Sequence, residues 1–219
     1  FQVGVIALVV LFQPEMRSAL EKVGGSSLKG LKNVSDPKDG SAWMLAIREV
    51  SAAASQMAAE KTGALIVFER STRLGEIAAT GTISDAQISA YLLRNIFFNK
   101  APLHDGAVLL RDGRLYAAGC LLPLTHQTDL NRDLGTRHRA AIGLSEDSDA
   151  VVVVVSEETG TISVAVDGYL TRGYNADTLR SRLTELIEPA SEIGEGKKIF
   201  RFIRKGKGAQ ASAERSDKK

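Results

Sequence analysis

Cysteine is nearly missing from this sequence: Cys120 is the single one in 219 residues. That excludes an intrachain disulfide and any cysteine-rich metal site, and a reducing compartment is the simplest setting. Histidine is scarce too, with three copies, and aromatic residues make up only 5%. No internal repeat is seen, so no repeat array is expected. Positive charge is not in surplus. The 28 Lys and Arg face 26 Asp and Glu, and the net charge of +2 is too small to imply a nucleic-acid partner. The basic C-terminal stretch offers only Phe200 and Phe202 for stacking, so no nucleic acid is expected.

Long hydrophobic runs are also rare. Phe1 to Phe12 (FQVGVIALVVLF) is apolar and uncharged, yet a helix needs about 20 residues to cross a bilayer. The segment lacks the basic leader and small-residue cleavage site of a signal peptide. Two readings remain, a buried core segment or the end of a transmembrane helix that begins upstream of Phe1. Glu15, Arg17, Glu21 and Lys22 follow at once, as expected where a helix leaves the membrane for the cytoplasm, and favour the second.

What is present is ordinary for a globular chain: 44% hydrophobic and 25% charged residues. The length suits one domain with appendages. Residues 13–40 read as a short helix and a linker, the latter rich in Gly, Ser, Lys and Asp. Residues 191–219 read as a basic, disordered tail. Residues 41–190 read as the folded domain. Within it, Trp43, Ile47, Val50, Ala54, Met57 and Ala58 fall on one face of a helix from Ser41 to Lys61. A strand is expected in ALIVFER after Gly63, and a second one over Glu76 to Thr80. Ser84 with Gln87 forms a capping box that predicts a helix from Asp85 to Phe98. Asp112-Gly113 marks a hairpin between Ala107–Leu110 and Leu115–Leu122. A helix is expected over 136–146, a buried strand over 151–155, another strand over 161–166, and a last helix over 176–187 capped by Asn175. Strands alternating with helices and hairpins predict an α/β (α+β) fold with a mixed central sheet flanked by helices in a single globular domain.

Three polar clusters stand at the ends of predicted strands or the start of a helix, where α/β proteins place ligands. They are Pro102-Leu103-His104-Asp105-Gly106-Ala107, Gly135-Thr136-Arg137-His138-Arg139 and Ser156-Glu157-Glu158-Thr159-Gly160. The middle one is what a triphosphate requires. A helix N-terminus offers unpaired N–H groups and partial positive charge, Thr136 a hydroxyl, and two arginines fork-shaped donors. Asp105 and Glu158 are carboxylates suited to Mg²⁺ or Mn²⁺, and the imidazole of His104 shifts the preference towards Mn²⁺. Each cluster alone is commonly turn chemistry or a solvated face; the combination is what points to a site. His126, in a polar loop, reads as an ordinary loop residue.

LHDGAV, GTRHRAAIG and VSEETG, in this order, resemble the diadenylate cyclase (DisA N-terminal, DAC) domain family over about Ser41 to Ile187. The membrane-anchored CdaA type fits best, because an apolar segment and a short linker precede the domain. The resemblance implies an enzyme that condenses two ATP into cyclic di-AMP and two pyrophosphates. It implies that Asp105, Arg137 and His138 are catalytic, and that His104, Asp105 and Glu158 hold Mn²⁺ or Mg²⁺. It further implies that Gly106, Ala107, Leu122 and Ser156 bind ATP together with Thr136, Arg137, His138 and Arg139. Each domain would bind one ATP, so activity would require a face-to-face homodimer. The site of action would be the bacterial cell membrane, with the domain facing the cytoplasm. Leu121 departs from membrane-type relatives, which often carry a tyrosine there that can stack on the base. A non-catalytic nucleotide sensor on the same domain stays open as the rival reading.

Overall fold

Five successive valines and the run ALIVF lack the alternation of a half-exposed strand, so both must be covered on two faces. The computed structural model, which describes residues 37–127 and 134–187, achieves this by placing both runs in the middle of a sheet. In chain order the elements are α1 (Pro37–Ala59), β1 (Ala64–Phe68), α2 (Gly75–Ala79), β2 (Thr82–Ala86), α3 (Ala90–Phe97), β3 (Ala107–Arg111) and β4 (Arg114–Cys120). They continue with α4 (Thr136–Asp147), β5 (Val151–Val155), β6 (Ile162–Val166), β7 (Tyr169–Tyr174) and α5 (Ala176–Ile187). The sheet has seven strands in the order β2-β4-β3-β1-β5-β6-β7. β1 runs parallel to β3, and the other neighbouring pairs are antiparallel. This is the mixed sheet with helices that the sequence predicts.

The period of two sends alternate side chains to opposite faces. Ile66, Phe68, Val151, Val153 and Val155 pack with Ile47, Val50 and Met57 of α1 and with Leu179 and Leu183 of α5. Val67, Val152 and Val154 pack with Ala140, Ala141 and Leu144 of α4. Every valine of β5 is fully buried, and each burial stabilises the fold by roughly 1.5–3 kcal/mol.

Three expectations fail locally. The helix expected from Ser41 to Lys61 spans Pro37–Ala59 and so takes in the last residues of the expected linker, Pro37 being suited to a first helical turn. The helix expected from Asp85 starts instead after Ser89, whose Oγ accepts from Leu92 N at 3.2 Å. Ser84 and Asp85 belong to β2, which pairs with β4, and Asp85 is held by Arg114 at 2.7 Å. Sheet pairing outweighs the local capping signal there. The strand expected over Glu76 to Thr80 is the short helix α2, closed by a hydrogen bond from Thr80 Oγ1 to Ile77 O at 2.7 Å. Five residues are too few for hydrophobic period to separate the two states. The apolar N-terminal segment, the linker expectation up to residue 36 and the basic tail lie outside the described residues.

Register decides what gathers at one edge of the sheet. Ala64 pairs with Val155, Val155 with Ile162, and Ile162 with Tyr174. Ile66 pairs in parallel with Val108, and Ala107 with Cys120. The starts of β1, β3 and β6 and the ends of β4, β5 and β7 therefore share that edge.

Candidate active site

Gly135 precedes α4 in an extended conformation and offers no side-chain cap. His138 N and Arg139 N both turn back to Gly135 O, at 3.1 and 3.2 Å. Nothing inside the helix accepts from the amides of Thr136 and Arg137, the unsatisfied donors that favour an anion. A cleft opens at this helix start. One wall is Gly135, Thr136, Arg137 and His138, and the other is Val155, Ser156, Glu157 and Glu158. Two clusters about 20 residues apart in the chain thus form one site.

The opposite wall is shaped by a tight turn. Gly160 has φ +71 and a neighbour in Ala58 O that leaves no room for a side chain. Gly160 N donates to Ser156 O at 2.9 Å, Ser156 N donates to Thr161 O at 3.0 Å, and Ser156 Oγ accepts from Thr159 N at 3.3 Å. Ser156 is buried, while Glu157 and Glu158 project at the tip. Arg137 Nη1 reaches Glu157 Oε2 at 2.5 Å, so the first arginine of the cluster already has a carboxylate partner.

His138 is 4% exposed, and its Nε2 has no hydrogen-bond partner among the described residues. Burial holds its pKa below the ordinary value; the charge of Arg172 pushes the same way, and Glu158 opposes. The ring is therefore held towards its neutral form, with one nitrogen left without a partner among the described residues. Such a buried, unspent polar atom calls for a functional explanation.

Asp105 lies at the start of β3 and is exposed. Gly106 follows with φ +120, and a methyl there would lie 2.7 Å from Gly119 C and 2.9 Å from Cys120 O. Only glycine fits, and the bend it permits turns Asp105 out from the strand. The neighbouring His104 has Nδ1 at 2.6 Å from Ala101 O, the arrangement that leaves Nε2 open to a cation. These two residues do not line the α4 cleft, because β1 stands between β3 and β5. Among the described residues no three His, Cys, Asp or Glu side chains gather as a metal centre.

The remaining expected positions divide. Thr136 lines the cleft, and Leu122 packs half-buried against the α4-side core. Ala107 is buried at 1% exposure, so only its backbone could face a ligand. Arg139 is exposed and donates Nε to Leu134 O at 3.4 Å, away from the cleft lining. Leu121 is 65% exposed, with its N–H on Thr80 Oγ1 at 2.9 Å. Cys120 is buried, which pushes its thiol up to about 11 and keeps it inert.

Gly63, just before β1, is a support that its residue type does not advertise. A methyl there would lie 2.7 Å from Arg137 Nη1 and 2.9 Å from Glu157 Oε2. Because those atoms end flexible side chains, Gly63→Ala is expected to fold but to displace the guanidinium. Pyrophosphate affinity, read by titration calorimetry, is expected to fall about tenfold, the size of one charge-assisted hydrogen bond. Unchanged affinity would show that Arg137 is not held for a ligand.

Comparison with known proteins shows the family and the fold. Residues 51–170 match the family model described as DAC, DisA bacterial checkpoint controller nucleotide-binding. The chain is 40% identical over 180 residues to the cyclic di-AMP synthase CdaA of Bacillus subtilis, covering 82% of this chain and 65% of that protein. It is 38% identical over 185 residues to the diadenylate cyclase of Listeria monocytogenes, covering 84% of this chain and 67% of that protein. The chain thus spans about two thirds of the length of these relatives. The crystal structure of a DacA double mutant from Staphylococcus aureus superposes with a TM-score of 0.64 at 44% identity, over 66% of this chain and 96% of that one. A hypothetical membrane-spanning protein from Bacillus cereus gives a TM-score of 0.56 at 48% identity, over 57% of this chain and 62% of that one.

Proposed function

The chain belongs to the DAC family, and from that premise we propose that it is a diadenylate cyclase condensing two ATP into cyclic di-AMP. The observation that carries the reading is the cleft in which the uncapped start of α4 meets the Ser156–Glu158 turn around the unpartnered His138 Nε2. The triphosphate of ATP lies against the Thr136 and Arg137 amides and His138, and Leu122 borders the adenine. In the reaction the ribose 3′-hydroxyl of one ATP attacks the α-phosphorus of the other. The new O–P bond forms as the bond to pyrophosphate breaks, and the hydroxyl proton leaves towards Asp105. Such in-line transfer depends on positioning and charge neutralisation.

His104 and Asp105 would offer a divalent ion, Mn²⁺ or Mg²⁺, an imidazole and a carboxylate, while Glu158 lines the α4 cleft and does not gather with them among the described residues of one chain. Sites of this kind commonly use one or two carboxylates with substrate phosphates instead of an all-protein cage. When bound, the ion lowers the pKa of the attacking hydroxyl and neutralises developing charge. Asp105 and the triphosphate cleft lie on different strands of one chain, which supports an arrangement in which two chains face each other across two ATP molecules. The apolar segment Phe1 to Phe12 anchors the protein at a bacterial membrane with the domain in the cytoplasm. Among the described residues no helix is long and apolar enough to cross a membrane; the composition of that segment and the membrane-spanning relative support the anchor.

The test is ATP turnover by the purified chain with Mn²⁺ or Mg²⁺, products resolved by chromatography. Cyclic di-AMP and pyrophosphate are expected in a 1:2 ratio, with turnover per chain rising with protein concentration. ATP binding without cyclic product under either ion, at high protein concentration, leaves a nucleotide sensor as the function.

A further inference from the structure

Arg172 lies on β7, outside the three polar clusters of the sequence. Its register partner is Ser163 on β6, which pairs in turn with Val154 on β5. Residues paired across neighbouring strands share a face, and Val154 belongs to the core beneath α4. Arg172 therefore stands on the α4 side, two strands from the end of β5 where the Ser156–Glu158 turn begins. Its charge reaches His138, where it disfavours the imidazolium after burial has done so, against Glu158.

The charges at this site do not balance. Arg137 is spent on Glu157, Arg139 turns to Leu134 O, and Glu158 is the cleft carboxylate left to face both His138 and Arg172. Among the described residues Arg172 is exposed and has no carboxylate partner. Near it are the partial positive charge of the α4 N-terminus and the unpartnered, 4% exposed His138. Ser163 Oγ, fully buried beside Arg172 in register, has no partner among the described residues either. An unpaired guanidinium, a helix start and the buried His138 Nε2 on one side of the sheet together suit an anion with several oxygens.

We propose that Arg172 is a further residue of this site, giving its guanidinium to the phosphate oxygens received by His138 and the start of α4. The proposal rests on reading that helix start as a polyphosphate seat, and it moves part of the arginine role from the helix cluster to the edge strand.

The probe is inorganic pyrophosphate, titrated calorimetrically into the full chain and into Arg172→Gln, Arg172→Lys and Arg180→Gln. Arg180, on α5, is an exposed control without a carboxylate partner among the described residues. Arg172→Gln is expected to weaken binding about tenfold or more. Arg172→Lys, which keeps the charge but loses the fork, is expected to fall between. Arg180→Gln is expected to bind like the parent, and thermal midpoints should agree among all four. Equal affinity of Arg172→Gln and the parent, or no pyrophosphate binding by the parent, overturns the proposal. Binding needs no turnover, so the two readings separate: Arg172-dependent binding without cyclic product removes the cyclase reading alone, and cyclic product without Arg172 dependence removes this one.

Discussion

Asp105→Asn is expected to lower cyclic di-AMP formation by about three orders of magnitude, the scale of losing an acid–base group that also serves a metal. The substitution changes charge with almost no change of shape. Asp105 is exposed, and among the described residues it pairs with no cation, so nothing in the fold depends on its charge. Asp105 stands exposed just ahead of the bend at Gly106, φ +120, a backbone feature that the substitution does not touch. The thermal midpoint and ATP binding are therefore expected to stay near those of the parent while the product vanishes. The decisive comparison is product formation per bound ATP. A variant that keeps more than a tenth of the parent's rate would remove Asp105 from the chemistry.

Glu69→Ala is expected to be the most damaging change to stability outside the cleft. The Glu69 carboxylate is fully buried where β1 ends, at the far side of the sheet from the cleft. It accepts from Arg111 Nε and Nη2 at 2.6 and 2.8 Å, from Arg73 Nη1 at 2.7 Å and from Leu74 N at 2.9 Å. Arg111 also lies over the Tyr116 ring at 3.7 Å. Removing the carboxylate strands Arg111 and a buried amide, at about 3 kcal/mol. For a chain of this length that lowers the midpoint by roughly 6–12 °C.

The pH dependence has a definite sign. Burial alone would raise the Glu69 pKa, but hydrogen bonds from Arg111, Arg73 and Leu74 N outweigh it and hold the carboxyl below its ordinary 4.5. A depressed carboxylate contributes stability that is present above the unfolded pKa and lost as pH falls through the folded one. The gap between parent and Glu69→Ala should therefore be full at pH 7 and shrink below pH 4.5. Urea unfolding at pH 7 and at pH 3.5 measures both; a gap of equal size at the two values, or none at pH 7, contradicts this account.

Much of the fold and part of the candidate site are legible in the sequence. The valine run, ALIVF, the Asp112-Gly113 hairpin, the Asn175 cap and the start of α4 at Thr136 all stand where the sequence puts them. Each is written in residues within about four positions of one another, where turn preference, capping and period act directly. Where a local signal met a distant partner, the partner won. Ser84 and Asp85 look like a helix start and became an edge strand, because β4 offers hydrogen bonds and Arg114 a charge.

The site shows the same division. The residue types of the three clusters pointed to a polyanion and a divalent ion as expectations, since helix-start amides and arginines suit phosphate oxygens and carboxylates suit Mg²⁺ or Mn²⁺. Tertiary structure alone decided how those groups are shared. The pairing of Ala64 with Val155 brings the Ser156–Glu158 turn to the sheet edge beside the start of α4, where Arg137 is claimed by Glu157. The β5–β6–β7 register carries Arg172 to the same side. Register is set by burying both faces of the central strands at once, a condition on the whole sheet that no short stretch of sequence contains.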